Sequence, residues 1–176
     1  MSNTEKKAII AILVENNSGV LTRISLMFEQ RGINIETITA CETNDPGITR
    51  ITISTHGDEI EINRIVLLTQ KLVEVLNVEV LDLSNCIERE MLLAKLEVSV
   101  SQRSEIKEIC EIYKAQIVDM TPSSMVLALT AKPSTIDAIL VVLGSYKIIE
   151  LCRSGATVME RGENPLKYEL KERHLF

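Results

Sequence analysis

One order of predicted elements occurs twice along the chain: strand, helix, strand, strand, helix, strand. Apolar residues form strand-length runs in the predicted strands and follow helical spacing in the predicted helices. In the first half, the elements are a strand over 8–15, a helix over 20–31, strands over 33–41 and 48–55, a helix over 62–73 and a strand over 77–83. In the second half, they are a strand over 91–100, a helix over 106–113, strands over 116–121 and 125–131, a helix over 136–143 and a strand over 148–152.

This duplicated order predicts an α+β chain with two ferredoxin-like βαββαβ domains in tandem. Each domain is expected to be an antiparallel sheet with both helices on one face. The polar stretch SNCIERE separates the two patterns. We therefore expect a first domain over 7–83, a connector over 84–90, a second domain over 91–162 and a polar tail over 163–176.

The first predicted strand is apolar on both sides. Its residues Ile9, Ile10, Ile12, Leu13 and Val14 project alternately to the two faces of the sheet. Helices of the same domain cover only one face, so the other face needs a second cover. We predict that the first domain dimerises for this reason. The alternative, that the second domain covers this face within the chain, stays open.

Charge and composition exclude several classes of partner. The formal net charge is −6, and no basic run is longer than Lys6-Lys7, so neither nucleic acid nor an anionic membrane is an expected partner. Strands 48–53 and 125–129 also lack the aromatic residues on which RNA-binding domains of this topology stack bases. No apolar run approaches the roughly 18 residues of a membrane span, and the polar start lacks a signal peptide. We expect a cytoplasmic location.

The sequence offers little catalytic chemistry. Its two histidines are His56, at a turn after the third strand, and His174, in the predicted tail, and neither position suits a general base. No phosphate-binding glycine loop or nucleophile motif is present. We expect no enzymatic activity, metal or cofactor on this chain. The cysteines lack the spacing of a zinc site or redox pair: Cys41, Cys86, Cys110 and Cys152.

One segment, 13–21, runs from a strand through a tight polar turn directly into a helix N-terminus. Backbone N–H groups near Gly19, Val20 and Leu21 lack partners within the helix, and the helix dipole adds positive potential there. Gly19 has no side chain to obstruct an approaching carboxylate. These amides can therefore hold the carboxylate of an amino acid.

Two asparagines supply the remaining polar groups of this candidate site. Asn16 lies in the same turn, and Asn34 starts the second strand, where we expect it to lie beside the turn. Their amides donate and accept hydrogen bonds, so together they can bind both charged ends of an amino acid. The alternative is an ordinary turn in which Ser18 caps the helix. The spacing alone leaves both readings open.

The sequences VENNSGVL at 14–21 and RGINIE at 31–36 resemble the amino-terminal ACT domain of acetolactate synthase small subunits. The resemblance continues through Asp45-Pro46, Glu88-Arg89-Glu90, 117–119 and Arg153-Ser154-Gly155, in the order found in that family. It covers roughly residues 7 to 162. The second half is thereby identified as an ACT-like domain, and the tail from Glu163 extends past the usual family ending.

This resemblance implies a function that the residues alone do not name. Subunits of this family have no active site. They activate a large catalytic subunit, a transferase that uses thiamine diphosphate, magnesium and FAD to condense pyruvate with pyruvate or 2-oxobutyrate. This reaction belongs to the biosynthesis of valine, leucine and isoleucine. The small subunits also confer feedback inhibition by valine, and in some cases by leucine or isoleucine.

In the family, the effector lies between two ACT domains of a homodimer. It contacts the loop after the first strand of one domain and the second strand of its neighbour. The corresponding loop in the second half, 99–103, contains neither Asn nor Gly, so we assign effector binding to the first half only. The matching effector-binding positions are Asn16, Gly19, Val20, Leu21, Asn34 and Ile35.

A different class of ACT protein shares the fold and the loop. Such a protein senses amino acids alone and acts on transcription or on another enzyme. The motifs Glu88-Arg89-Glu90 and Arg153-Ser154-Gly155 in the second half favour the acetolactate synthase subunit over this alternative.

Overall fold

The computed structural model describes residues 6–163 and 165–167. The first six elements are β1 (Lys6–Glu15), α1 (Val20–Glu29), β2 (Ile35–Glu42), β3 (Ile48–Gly57), α2 (Glu59–Thr69) and β4 (Val75–Val80). A 3-10 turn, Leu83–Asn85, follows them. The remaining elements are β5 (Cys86–Glu97), a second 3-10 turn (Val100–Gln102), α3 (Arg103–Tyr113), β6 (Gln116–Met120), β7 (Ser124–Ala131), α4 (Pro133–Leu143), β8 (Lys147–Arg153) and β9 (Thr157–Glu160).

The main strands form two antiparallel sheets of the same order. The first sheet runs β2-β3-β1-β4 and the second runs β6-β7-β5-β8, while the short β9 pairs with β5. In each sheet, the first and third strands of that half are central, and the two outer strands are the ones that follow its two helices. The predicted α+β fold with two ferredoxin-like domains is confirmed.

Local sequence explains where the helices of the first half begin and end. Asp58 accepts a hydrogen bond from the Glu61 amide at 2.8 Å, and Glu61 accepts one from the Asp58 amide at 3.0 Å. This capping box starts α2 at Glu59, three residues before the predicted start. After α1, Gly32 has a φ of 68°, and the Ile33 amide donates to the Phe28 carbonyl at 3.1 Å.

A large apolar cluster packs the two helices of the first half against one face of the sheet. Ile10 and Ile12 of β1 lie there with Ile24 and Phe28 of α1 and Ile65 of α2, and all five are buried. An equivalent cluster in the second half contains Leu92, Ala94, Leu96, Ile106, Ile136 and Ile139. Most residues of the predicted helical stripes thus lie in the core of each half, but α2 ends at Thr69, and Val73, which was predicted to lie in its stripe, is exposed.

The chain divides into two compact units, but not at the predicted boundaries. The described residues up to Ile87 form the first unit together with those from Ala156 onward, and Glu88–Gly155 forms the second. The second domain was expected to extend to 162, and the connector to occupy 84–90. Instead β5 begins at Cys86, because residues 86–97 alternate between buried and more exposed positions.

The opposite face of the first sheet is covered by the chain itself. Ile9 and Ala11 are fully buried in a second cluster with Leu81, Cys86, Ala156 and Val158. We call residues 156–160 the return segment. Thr39 of β2 donates a hydrogen bond to the Ala156 carbonyl at 3.1 Å, and Arg50 of β3 donates one to the Val158 carbonyl at 2.7 Å.

Because the chain covers this face of the first sheet itself, the face is not available for the predicted dimerisation. Dimerisation through this face requires Ile9 and its neighbours to be exposed, but the return segment buries them within one chain. The expected alternative, cover within the chain, is what the structure contains: Ala156 and Val158 lie within the predicted second domain, 91–162, although they pack as part of the first unit. Any dimer of this chain therefore has to use another surface.

Parts of the predicted tail, 163–176, lie outside the described residues, as does His174. Within the described part of the tail, Leu166 packs partly against the cluster of Ile9 and Ala11, and the Lys167 carbonyl accepts a hydrogen bond from Asn77 at 2.6 Å. Among the helices that the structure describes, none is long and apolar enough to cross a membrane.

We predict that Val158→Ala lowers the free energy of unfolding by about 2 kcal/mol, because two buried methyl groups are lost and a small cavity remains. The neighbouring Met159 is 62% exposed, so Met159→Ala should change it by less than about 0.5 kcal/mol. Urea unfolding of the full-length chain measures both values. Equal effects of the two substitutions would show that the return segment does not pack as described.

Candidate functional site

Backbone hydrogen bonds hold the loop between β1 and α1. The Glu15 amide donates to the Glu74 carbonyl at 2.9 Å, just before β4. The Asn16 amide donates to the Gly47 carbonyl at 2.7 Å, in the turn between β2 and β3. The Asn17 side chain donates to the Glu15 carboxylate at 2.9 Å. The loop is therefore anchored to two neighbouring connections at one end of the sheet.

The N-terminus of α1 has no side-chain cap. Gly19 is the capping residue, with a φ of 82°, and no side chain accepts a hydrogen bond from the first turn. The alternative in which Ser18 caps this helix is therefore not what the structure contains. Val20 is buried and anchors the helix, whereas Leu21 is 44% exposed. The Val20 amide donates to the Asn17 carbonyl at 3.4 Å, whereas the Leu21 and Thr22 amides have no acceptor among the described residues and remain open to an external one.

Arg23 is a part of this region that sequence reasoning missed. Its Nη2 atom lies 2.5 Å from the Glu74 carboxylate, which links α1 to the start of β4. A Cβ added at Gly19 would lie 3.2 Å from the Arg23 Nη1 atom. The Arg23 Nε atom is buried and has no hydrogen-bond partner among the described residues. The guanidinium therefore adds positive charge directly beside the uncapped amides.

Asn34 and Ile35 lie at the other end of the sheet. Ile35 pairs with Thr55, which pairs with Ala8 near the start of β1, whereas the loop follows Glu15 at its end. The seven residue-to-residue steps from Ala8 to Glu15 span about 23 Å along an extended strand. The expected position of Asn34 beside the loop of the same chain thus differs from the structure. One chain brings Asn16, Gly19, Val20 and Leu21 together, but not Asn34 and Ile35.

The equivalent helix of the second unit starts differently. The 3-10 turn Val100–Gln102 leads into α3, and a capping box between Ser99 and Gln102 closes its start. The Ser99 amide donates to the Gln102 side chain at 3.0 Å, and the Ser99 side chain accepts from the Gln102 amide. These side chains occupy the groups that a ligand would need. The start of α1 thus differs from that of its equivalent in the second unit, where a capping box precedes the helix.

Titratable and metal-binding side chains are scattered over the described residues. His56 contacts Glu36 at 2.7 Å on the exposed surface of the first sheet. Burial raises the pKa of the Cys110 thiol, which makes this cysteine a weak nucleophile. Within the described ranges, no group of three or more His, Cys, Asp or Glu side chains is placed to hold a metal ion.

Two family profiles match this chain, one in each half. Residues 10–77 match a profile described as the AHAS small subunit-like ACT domain, and residues 89–162 match one described as the small subunit of acetolactate synthase. The acetolactate synthase isozyme 3 small subunit of Escherichia coli is 39% identical over 162 residues, which cover 92% of this chain and 99% of that protein. This chain belongs to the family of acetolactate synthase small subunits.

Other members of the family also match this chain over nearly their full length. A probable acetolactate synthase small subunit of Methanothermobacter thermautotrophicus is 38% identical, with 90% of this chain and 95% of that protein covered. The crystal structure of the acetolactate synthase small subunit from Thermotoga maritima superimposes with a TM-score of 0.85 at 31% identity. That match covers 90% of this chain and 99% of the other. Both units are therefore shared with these small subunits.

Proposed function

We propose that this chain is the regulatory subunit of an acetolactate synthase, which activates a catalytic subunit and makes it sensitive to valine. Membership of the small subunit family supports the partnership. The observation that carries effector binding is the start of α1, where Gly19, Val20 and Leu21 form the first turn, no side chain caps it and the Leu21 amide has no acceptor among the described residues. Condensation of pyruvate belongs to the large subunit, with thiamine diphosphate, magnesium and FAD bound there.

The amino acid carboxylate binds at the first turn of α1 in this proposal. Backbone amides and the helix dipole stabilise a negative charge there, and the Arg23 guanidinium beside Gly19 strengthens the attraction. Because Glu74 also contacts Arg23, the guanidinium is held in place before the effector arrives. The exposed Leu21 side chain provides an apolar contact for the branched side chain of valine.

A homodimer through β2 completes the site. β2 is an edge strand of its sheet, so it can pair with β2 of a second copy across a two-fold axis. In a symmetric antiparallel pair, Ile35 of one copy lies opposite Glu42 of the other. Glu42 is followed by the turn in which the Gly47 carbonyl accepts a hydrogen bond from the Asn16 amide. Asn34 of the second copy, which precedes Ile35, therefore lies near the loop of the first copy.

This arrangement explains how a small ligand can change a large assembly. The effector bridges the α1 start of one copy and the β2 start of the other, so it binds only when the two copies are correctly paired. A ligand shifts an equilibrium by its difference in affinity for the two states. A coupling of about 1–3 kcal/mol changes activity about 5- to 150-fold, which is enough for feedback control.

Reconstitution tests the proposed function. Acetolactate formation by the thiamine-diphosphate-dependent subunit of the same organism is measured with and without this chain, each with and without millimolar valine. We expect this chain to increase the rate, and valine to reverse the increase. An increase that valine does not reverse would remove the effector assignment, and no increase would favour the free-standing sensor.

Gly19→Asp should abolish valine inhibition and preserve activation, because its carboxylate occupies the place of the ligand carboxylate. Gly19→Ala is the matched control, since both variants carry the backbone strain of a φ of 82° but only one adds charge. We expect Gly19→Ala to weaken valine inhibition less than Gly19→Asp. The reconstituted assay measures both, and unchanged inhibition in Gly19→Asp would refute the site.

Dimerisation through β2 makes a separate prediction. Ile38 lies in the middle of β2 and is 36% exposed, so Ile38→Asp should weaken dimer formation by placing a charge in the interface. Ile60 on α2 is 68% exposed, and Ile60→Asp should leave the dimer unchanged. Sedimentation equilibrium over a range of protein concentrations gives both dissociation constants. Equal values would mean that the copies associate through a different surface.

A further inference from the structure

A cavity of the first unit lies on the sheet face opposite the two helices. Its volume is ≈ 380 Å³, which is within the range of small-molecule sites. Leu13 of β1 and Leu81, just after β4, line it, together with Met159 of β9 and Leu166. Leu13 is on the same face as Ile9 and Ala11, since side chains alternate along a strand. The cavity therefore has several apolar walls.

Arg50 supplies a positive charge to this cavity. It pairs with Leu13 across β1 and β3, and its side chain is half-buried. Its Nη2 atom donates to the Val158 carbonyl at 2.7 Å, the one hydrogen bond that its guanidinium makes to the described residues. A guanidinium carries five N–H donors in a planar fork that fits a carboxylate. Most of these donors are therefore available to a ligand.

Glu160 supplies a negative charge to the same cavity. It is the last residue of β9 and is half-buried, and its carboxylate forms no hydrogen bond or ion pair with the described residues. Arg50 and Glu160 thus line one cavity without pairing with each other. Leaving opposite charges partly desolvated and unpaired is unfavourable, unless a third molecule joins them.

We propose that this cavity binds a zwitterionic α-amino acid with an aliphatic side chain. Arg50 receives the carboxylate, Glu160 receives the ammonium group, and Leu13 and Leu81 contact the side chain. Two further carboxylates, Glu79 and Glu163, line the cavity and are exposed, so its net negative charge favours a ligand that carries an ammonium group. The site lies apart from Gly19 and does not rest on the proposed function.

Three probes of matched shape test the proposal: L-leucine, 4-methylpentanoate, which lacks the ammonium group, and 3-methylbutylamine, which lacks the carboxylate. The Gly19→Asp full-length chain is titrated with each, so that the helix site does not contribute. We expect L-leucine to bind about tenfold or more tightly than either analogue, because leucine makes charge-assisted contacts to both Arg50 and Glu160, whereas each analogue makes only one of them. Backbone NMR signals of Leu13, Leu81 and Met159 should shift during the titration.

Substitutions assign the two charges separately. In Glu160→Gln, leucine should bind no better than 4-methylpentanoate, and in Arg50→Met no better than 3-methylbutylamine. Arg64 is an exposed residue of α2, and Arg64→Met should behave like the parent chain. Because Arg50→Met also removes the hydrogen bond to Val158, the Glu160→Gln variant is decisive.

Several results would overturn the cavity site. They are equal affinity for the three probes, an unchanged preference for leucine in Glu160→Gln, or NMR shifts confined to residues outside the cavity. The outcome is independent of effector binding at α1. Valine inhibition that survives in Gly19→Asp would refute the α1 site alone, whereas leucine that fails to bind the Gly19→Asp chain would refute the cavity alone.

Discussion

Burial on both sides of β1 is the constraint on which the first unit depends. A βαββαβ unit places its helices on one face of the sheet, and Ile10 and Ile12 meet them there. Ile9 and Ala11 face the other way and are equally buried, so a second layer is required. The return segment supplies that layer through Ala156 and Val158. It also provides Met159 and Glu160 to the cavity beside it.

Periodicity was sufficient to predict the architecture. The apolar stripes of the four helices and the β-branched strands are local signals, because each reports the face that an element buries. The capping box at Asp58 is also a local signal, but the helix predicted from apolar spacing starts only at Ile62 and therefore leaves it out. The return segment could not be predicted in this way. Its short sequence ATVME has no distinctive pattern, and its packing depends on a sheet more than 100 residues earlier.

The candidate site likewise contains residues that local sequence could locate and residues whose positions depend on contacts between distant parts of the chain. A strand, a polar turn with glycine and a helix start follow one another in sequence, so Gly19, Val20 and Leu21 could be located from the sequence. The position of Asn34 depends on strand direction: β1 and β2 both pair antiparallel with β3, so their starts lie at the same end. The contact between Arg23 and Glu74 joins residues 51 apart and has no local signature.

The return segment has a consequence for the order in which the protein is made. A ribosome releases β1 early, but the residues that cover Ile9 and Ala11 come after the whole of Glu88–Gly155. At roughly 5–20 residues per second, that insertion takes several seconds to synthesise. One apolar sheet face of the first unit therefore stays uncovered until the second unit has been synthesised, whereas the second unit is continuous in sequence and is complete when its last strand, β8, emerges. During translation, the amino-terminal half is thus the later of the two to become complete.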